Sequence, residues 1–91
     1  MLEAKRFVVS GRVQGVGFRF FAHDAAVREG LTGWVRNQPN RTVEIVAQGD
    51  AESLLRFEMA LRRGPAGARV DDMIVDREPV TASFTIFQIE P

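Results

Sequence analysis

A strand that runs into a glycine-rich turn and then a helix is the feature that most constrains this chain. Residues 7–13 are rich in β-formers and predict the strand, and residues 20–29 carry apolar residues at helical spacing. Between them lie Gly15, Gly17 and Arg19. Successive N–H groups in such a turn form an anion-binding concavity, and the helix adds the positive end of its dipole. The sequence therefore predicts a cradle for phosphate or carboxylate, with the Arg19 guanidinium as a planar donor.

The rest of the chain predicts one more helix and four more strands. Asp50 is a good N-cap for the second helix, which is expected to end near residues 62–65. Pro39 and Asn40 mark a hairpin turn. The strands are predicted at residues 7–13, 33–37, 42–47, 68–76 and 83–89. The buried helix stripes are predicted to be Phe21, Ala22, Ala25 and Ala26 in the first helix and Leu54, Phe57, Met59 and Leu61 in the second.

The order of these elements is β-α-β-β-α-β with a short extra terminal strand. That order predicts an α+β fold of the ferredoxin-like, split βαβ type, with two helices on one face of an antiparallel sheet. The helical crossover makes the first and second strands run parallel, so their carboxyl ends share one sheet edge. The loop that ends in Arg19 should meet the strand that carries Asn37 at that edge.

Composition and charge narrow the function classes. The chain has 91 residues, no cysteine and a formal net charge of zero, which favours one small domain without disulfides. Residues 1–49 carry seven basic against four acidic side chains, and the other half reverses this excess. This balance fits a small anionic ligand better than duplex DNA. No apolar run approaches the roughly 20 residues of a membrane span, and no signal peptide is recognisable, so a cytoplasmic location is expected.

Two motifs resemble those of the acylphosphatase family. The first is GRVQGVGFR, which ends at Arg19, and the second is GWVRN, which ends at Asn37. Val43 and Gly49 follow at the family spacing. The resemblance covers essentially the whole chain, so residues 1–91 are expected to be a single acylphosphatase-like domain.

The resemblance implies hydrolysis of an acyl phosphate to a carboxylate and inorganic phosphate. Arg19 would bind the phosphoryl group together with the loop amides, and Asn37 would orient the attacking water. It implies no metal, no cofactor and no phosphoenzyme, and the partner would be a small acyl phosphate substrate. The residues implied in phosphate binding are Gln14, Gly15, Val16, Gly17, Phe18 and Arg19.

One position departs from the family pattern. Arg41 stands in the hairpin turn where the family usually has glycine. If that position needs a positive φ, a side chain there costs roughly 1–2 kcal/mol. Alternatively, Asn40 takes the left-handed conformation and the turn changes shape.

Other polar and small residues carry less specific signals. His23, the only histidine, is expected to be solvated on the first helix rather than catalytic. Arg12 and Arg36 add positive electrostatic potential to the site only if the alternation of side chains along the strand directs them towards it. Gly11 is expected to allow close strand packing, whereas Gly15 and Gly17 are expected both to pack tightly and to form the cradle. A metal site at Asp71 and Asp72 is not expected, since neighbouring strand residues face opposite sides.

Three alternatives to a stand-alone acylphosphatase remain open at this point. A ferredoxin-like domain can serve as a non-enzymatic module that binds an anion or a protein. An RNA-binding domain would use Phe18, Phe20 and Phe21 as stacking rings. A variant of the enzyme would act on carbamoyl phosphate, as related domains do inside larger maturation enzymes. The favoured reading is a monomeric enzyme with no nucleic acid or membrane partner.

Overall fold

The computed structural model describes residues 1–91 as two helices packed on a five-stranded sheet. This architecture confirms the predicted fold class and element order. The elements are β1 (Leu2–Arg12), α1 (Phe18–Arg28), β2 (Thr32–Asn37), β3 (Val43–Asp50), α2 (Ala51–Arg63), β4 (Arg69–Glu78) and β5 (Phe87–Ile89).

The strand order is β4-β1-β3-β2-β5. Both β1 and β2 pair antiparallel with β3, so they run parallel to each other and end at the same edge, as predicted. The short β5 pairs parallel with β2. The sheet is therefore mixed: it is antiparallel as expected except for the parallel β2–β5 pair at this edge.

Two strands, β1 and β5, start four or more residues away from their predicted starts. β1 begins at Leu2, five residues before its predicted start, because residues 2–6 pair with β3 and residues 4–6 also pair with β4. β5 keeps only three residues of the predicted 83–89. The segment before it is fixed by side-chain bonds instead, since the Gln48 amide donates to the Thr81 carbonyl and accepts from the Thr81 N–H.

The core lies between the helices and the facing side of the sheet. Phe7 of β1 meets Phe57 of α2 edge to face, with ring centroids 5.6 Å apart. In α2 the buried stripe includes Ala60, whereas Met59 is 67% exposed, so its predicted place in the core was wrong. In α1 the fully buried aromatic is Phe18 rather than the partly buried Phe21.

The helix starts decide where the candidate site lies. Asp50 caps α2 by accepting from the Glu52 N–H at 3.1 Å, as predicted. α1 starts at Phe18, two residues before its predicted start, with Gly17 as its N-cap. Arg19 consequently sits in the first turn of the helix and not in the preceding loop. No helix of the protein is both long enough and apolar enough to span a membrane.

Candidate active site

A cleft of about 200 Å³ opens at the edge where β1 and β2 end. It lies between the glycine turn, the first turn of α1 and the end of β2. The structure thus brings Arg19 and Asn37 into one cleft, although 18 positions separate them in the sequence. The residues that line it are Val13, Gly15, Gly17, Phe18, Arg19, Phe20 and Asn37.

The glycines of the turn are required by backbone conformation. Gly15 and Gly17 have φ of 75° and 77°, values that L side chains rarely adopt. A Cβ on either would meet no atom within 4 Å, so the expected role in tight packing was wrong for both. Gly11 differs, because a Cβ there would lie 2.2 Å from the Arg69 carbonyl oxygen. Its predicted role in close strand packing is confirmed.

The turn leaves a set of N–H groups free at the start of α1. The Phe21 N–H makes the first helical bond, to the Gly17 carbonyl at 3.0 Å. The preceding N–H groups of the first turn have no acceptor within the helix, and no side chain caps this end. Free N–H groups and the helix dipole together favour a bound anion at this position.

Arg19 is held from the far end of the chain. Its Nη1 donates to the Glu90 carbonyl oxygen at 2.8 Å. The Glu90 N–H in turn donates to the Val35 carbonyl oxygen of β2 at 2.8 Å. No carboxylate lies within salt-bridge distance of the guanidinium, so its charge is not neutralised by the protein. Arg19 is therefore anchored to the sheet while keeping its charge available to a ligand.

Asn37 carries an unsatisfied acceptor. Its Oδ1 is buried and has no hydrogen-bond partner in the protein. Leaving such an oxygen without a donor costs about 1–3 kcal/mol, and almost all buried polar atoms avoid it. Because Asn37 also lines the cleft, a ligand or a water held there can supply the missing donor.

Gln14 joins the glycine turn to the turn that follows Asn37. Its Nε2 donates to the carbonyl oxygens of Gln38 and Thr42, at 2.9 Å each. Both donors of the side chain are thus used, which leaves only its backbone N–H for the predicted phosphate contact. Val16 lies outside the cleft lining and packs against the core, so it too is left with only its backbone N–H for that contact.

The turn after Asn37 contains a strained residue. Arg41 has φ of 73° and is the only non-glycine residue with positive φ. The alternative with Asn40 in the left-handed conformation was therefore wrong. The Asn40 side chain instead accepts from the Thr42 N–H at 3.2 Å and from the Thr42 hydroxyl.

A buried carboxylate, which the sequence analysis missed, stabilises the same hairpin. Glu44 is 6% exposed and accepts from Arg6 Nε at 2.6 Å, Arg36 Nη2 at 2.8 Å and Gln38 Nε2 at 2.8 Å. Burial alone would raise the pKa of Glu44, but the hydrogen bonds from Arg6 and Arg36 outweigh it and hold the pKa below its ordinary value. The signal was present in the sequence, because a short hairpin places Arg36 opposite Glu44.

The other candidate residues do not line the cleft. The Arg36 guanidinium binds Glu44, and its Cζ lies 4.8 Å from the centroid of the Trp34 ring. Arg36 is not part of the cleft lining. His23 contacts Asp24 at 3.4 Å and is likewise outside the cleft lining. Arg12 is exposed. No group of three or more histidine, aspartate or glutamate side chains is placed to hold a metal ion.

Comparison with known proteins identifies the class. The family model described as Acylphosphatase matches residues 5–89. An acylphosphatase of Methylococcus capsulatus is 50% identical over 90% of this chain and 89% of its own, and one of Koribacter versatilis is 43% identical over 97% and 80%. The crystal structure of acylphosphatase from Bacillus subtilis superposes with a TM-score of 0.94 at 37% identity and covers both chains completely.

The fold, the cleft and these similarities define a small hydrolase. The chain belongs to the acylphosphatase family, which confirms the resemblance drawn from the two sequence motifs. Hydrolysis of acyl phosphates is the activity that this membership supports.

Proposed function

We propose that residues 1–91 act as one catalytic unit that hydrolyses acyl phosphates by in-line attack of water on phosphorus. The reaction uses no metal, no cofactor and no phosphoenzyme. The unit works as a cytoplasmic monomer on a small-molecule substrate, with no nucleic acid or membrane partner. The observation that carries the proposal is the unpartnered Asn37 Oδ1 in the same cleft as the uncompensated charge of Arg19.

The phosphoryl group binds at the start of α1. Backbone N–H groups from Gln14 to Arg19 surround it, and the Arg19 guanidinium contacts its oxygens. Support comes from the positive φ of Gly15 and Gly17, which shapes the turn, and from the free N–H groups of the first helical turn. Donors fixed in this way stabilise the transition state because they need no reorganisation when charge shifts.

Asn37 positions the nucleophile. Its buried Oδ1 accepts a hydrogen bond from water, which satisfies an oxygen that otherwise has no donor. The lining of the cleft contains no carboxylate and no imidazole, so it offers no general base. The amide therefore orients the water without removing its proton.

The chemistry does not require a stronger catalyst. The oxygen of water bonds to phosphorus while the bridging P–O bond breaks, and the electron pair leaves with the carboxylate. A carboxylate whose acid has a pKa of about 4 is a good leaving group without protonation. The proton of water passes to a phosphate oxygen or to solvent. Phosphoryl transfer of this kind depends mainly on positioning and charge stabilisation.

The test is hydrolysis of benzoyl phosphate by the wild type and by Arg19→Ala and Asn37→Ala, with a chelator present throughout. Each variant should lose about 10²–10³ in kcat/KM, the loss typical of one key donor. Arg12→Ala is the matched control, since this exposed arginine lies outside the cleft lining and should keep wild-type activity. A folded wild type that does not hydrolyse the substrate, or that stops when metal is chelated, would overturn the proposal.

A further inference from the structure

The cleft extends beyond the groups that would hold phosphate. Apart from Arg19 and Asn37, its lining consists of glycines and three apolar side chains. Val13 and Phe18 are each 1% exposed and are committed to the core. Phe20 is 62% exposed, so it is the one apolar side chain of the lining with a large surface open to a ligand.

The position of Phe20 matters more than its exposure. Single exposed apolar side chains are common and need no explanation. Phe20, however, follows Arg19 in the first turn of α1, the turn whose N–H groups no side chain caps, and it lines the same cleft as Arg19 and Asn37. Because Phe20 lines the same cleft, its ring is within reach of the rest of a molecule whose phosphate is held there.

The charge of the lining also limits the acyl group. Arg19 is the only cation that lines the cleft, and the phosphoryl group uses its charge. No second cation of the lining is left for a carboxylate on the acyl group. An uncharged acyl group that packs against the phenyl ring buries apolar surface, which is favourable, and no charge has to be desolvated.

We propose that Phe20 is a specificity-determining residue that contacts the acyl group, so that aryl acyl phosphates are preferred over small ones and over those with a second carboxylate. This inference rests on the proposed function, because it assumes that the phosphoryl group occupies the cradle. It assigns a role to the acyl side of the cleft, which the two sequence motifs do not describe.

The test compares kcat/KM for benzoyl, acetyl and succinyl phosphate in the wild type, Phe20→Ala and Phe20→Leu. Phe20→Ala should lower kcat/KM for benzoyl phosphate by about five- to tenfold, a loss typical of partly removed apolar contact. The same variant should change kcat/KM for acetyl and succinyl phosphate by less than about twofold, because the acetyl and succinyl groups have little apolar surface for the ring to cover. For benzoyl phosphate, kcat/KM of Phe20→Leu should lie between those of the wild type and Phe20→Ala.

Val27→Ala is the matched control, since this residue is 58% exposed on the same helix but outside the cleft lining. It should leave all three values unchanged. An equal loss for all three substrates in Phe20→Ala, or no loss, would overturn the role of Phe20 while leaving the proposed function intact. Failure of the wild type on every substrate would instead overturn the proposed function.

Discussion

The guanidinium of Arg19 donates from Nη1 to the main-chain carbonyl oxygen of Glu90, at 2.8 Å. This contact ties the first turn of α1 to the segment after β5, and the Glu90 N–H ties that segment to β2 at Val35. Asn37 lies two residues further along the same strand. The two residues proposed to act on substrate are therefore fixed to one strand, Arg19 through Glu90 and Asn37 directly.

Deleting residues 90 and 91 should raise KM for benzoyl phosphate by about tenfold, because a hydrogen bond from a charged donor contributes about 1.5–3 kcal/mol and positions Arg19. The measurement is steady-state kinetics alongside a urea unfolding curve. Pro91→Ala keeps the peptide carbonyl of Glu90 and both of its hydrogen bonds, so it should behave as wild type. An unchanged KM in the deletion variant would mean that the carbonyl of Glu90 does not position the guanidinium.

Replacing Gln14 with methionine should affect stability and catalysis together. Gln14→Met keeps the length of the side chain but removes both donors to the Gln38 and Thr42 carbonyls. We expect a loss of about 1–2 kcal/mol in the free energy of unfolding and a several-fold lower kcat, because the turn that follows Asn37 loosens. Gln88→Met, at an exposed position of β5 without such bonds, is the control. A normal kcat in a destabilised Gln14→Met variant would show that the Gln14 bonds to Gln38 and Thr42 stabilise the protein without contributing to catalysis.

Arg41→Gly should stabilise the protein. A side chain at φ 73° costs roughly 1–2 kcal/mol, and the extra freedom of glycine in the unfolded chain offsets about 0.4–1 kcal/mol. The expected net gain is about 1 kcal/mol, with activity unchanged within about twofold. Arg41→Ala removes the same charge but keeps the Cβ and should not gain stability. A gain near zero in Arg41→Gly would refute the strain.

Stability at low pH should depend on Glu44. Its pKa in the folded protein lies below the ordinary value of 4.5. The stabilisation is therefore complete above that value and is lost as the pH falls through the lower pKa of the folded state. Glu44→Gln should flatten this part of the stability–pH curve and lower stability at pH 7 by about 1–2 kcal/mol, since the arginines are partly solvated.

The control for this measurement is Glu3→Gln, because the Glu3 side chain lies on the same sheet but makes no side-chain hydrogen bond. It should keep the acid-dependent fall of the wild type. A Glu44→Gln variant whose unfolding free energy still falls in parallel with the wild type below pH 4.5 would show that other groups cause the fall.

The sequence predicted the fold class because strong local signals agreed with one topology. The β-rich strands, the Asp50 cap and the crossover rule were sufficient to place Arg19 and Asn37 at one edge of the sheet. The errors lie where tertiary contacts outweigh local pattern. Residues 2–6 extend β1 because β3 pairs with all of them and β4 with residues 4–6, and Met59 is exposed because the buried stripe passes through Ala60.

The contacts that hold the candidate site were not readable from the sequence. The Arg19–Glu90 bond joins residues 71 positions apart, and it depends on β5 pairing parallel with β2. The Gln14 bonds depend on the detailed shape of two turns. Local sequence preferences predict neither the Arg19–Glu90 bond nor the Gln14 bonds. The Arg36–Glu44 pair could have been predicted from the sequence, because the hairpin register places the two residues opposite each other.

The most direct measurement of the central claim is hydrolysis of benzoyl phosphate in water enriched in oxygen-18. Attack on phosphorus by a water that Asn37 orients predicts that the label appears in inorganic phosphate and not in benzoate. A rapid-quench experiment with phosphorus-32 substrate should at the same time detect no label on the protein. Oxygen-18 in benzoate would mean attack on the carbonyl carbon, and a labelled protein would mean a covalent intermediate. Either result would contradict the account.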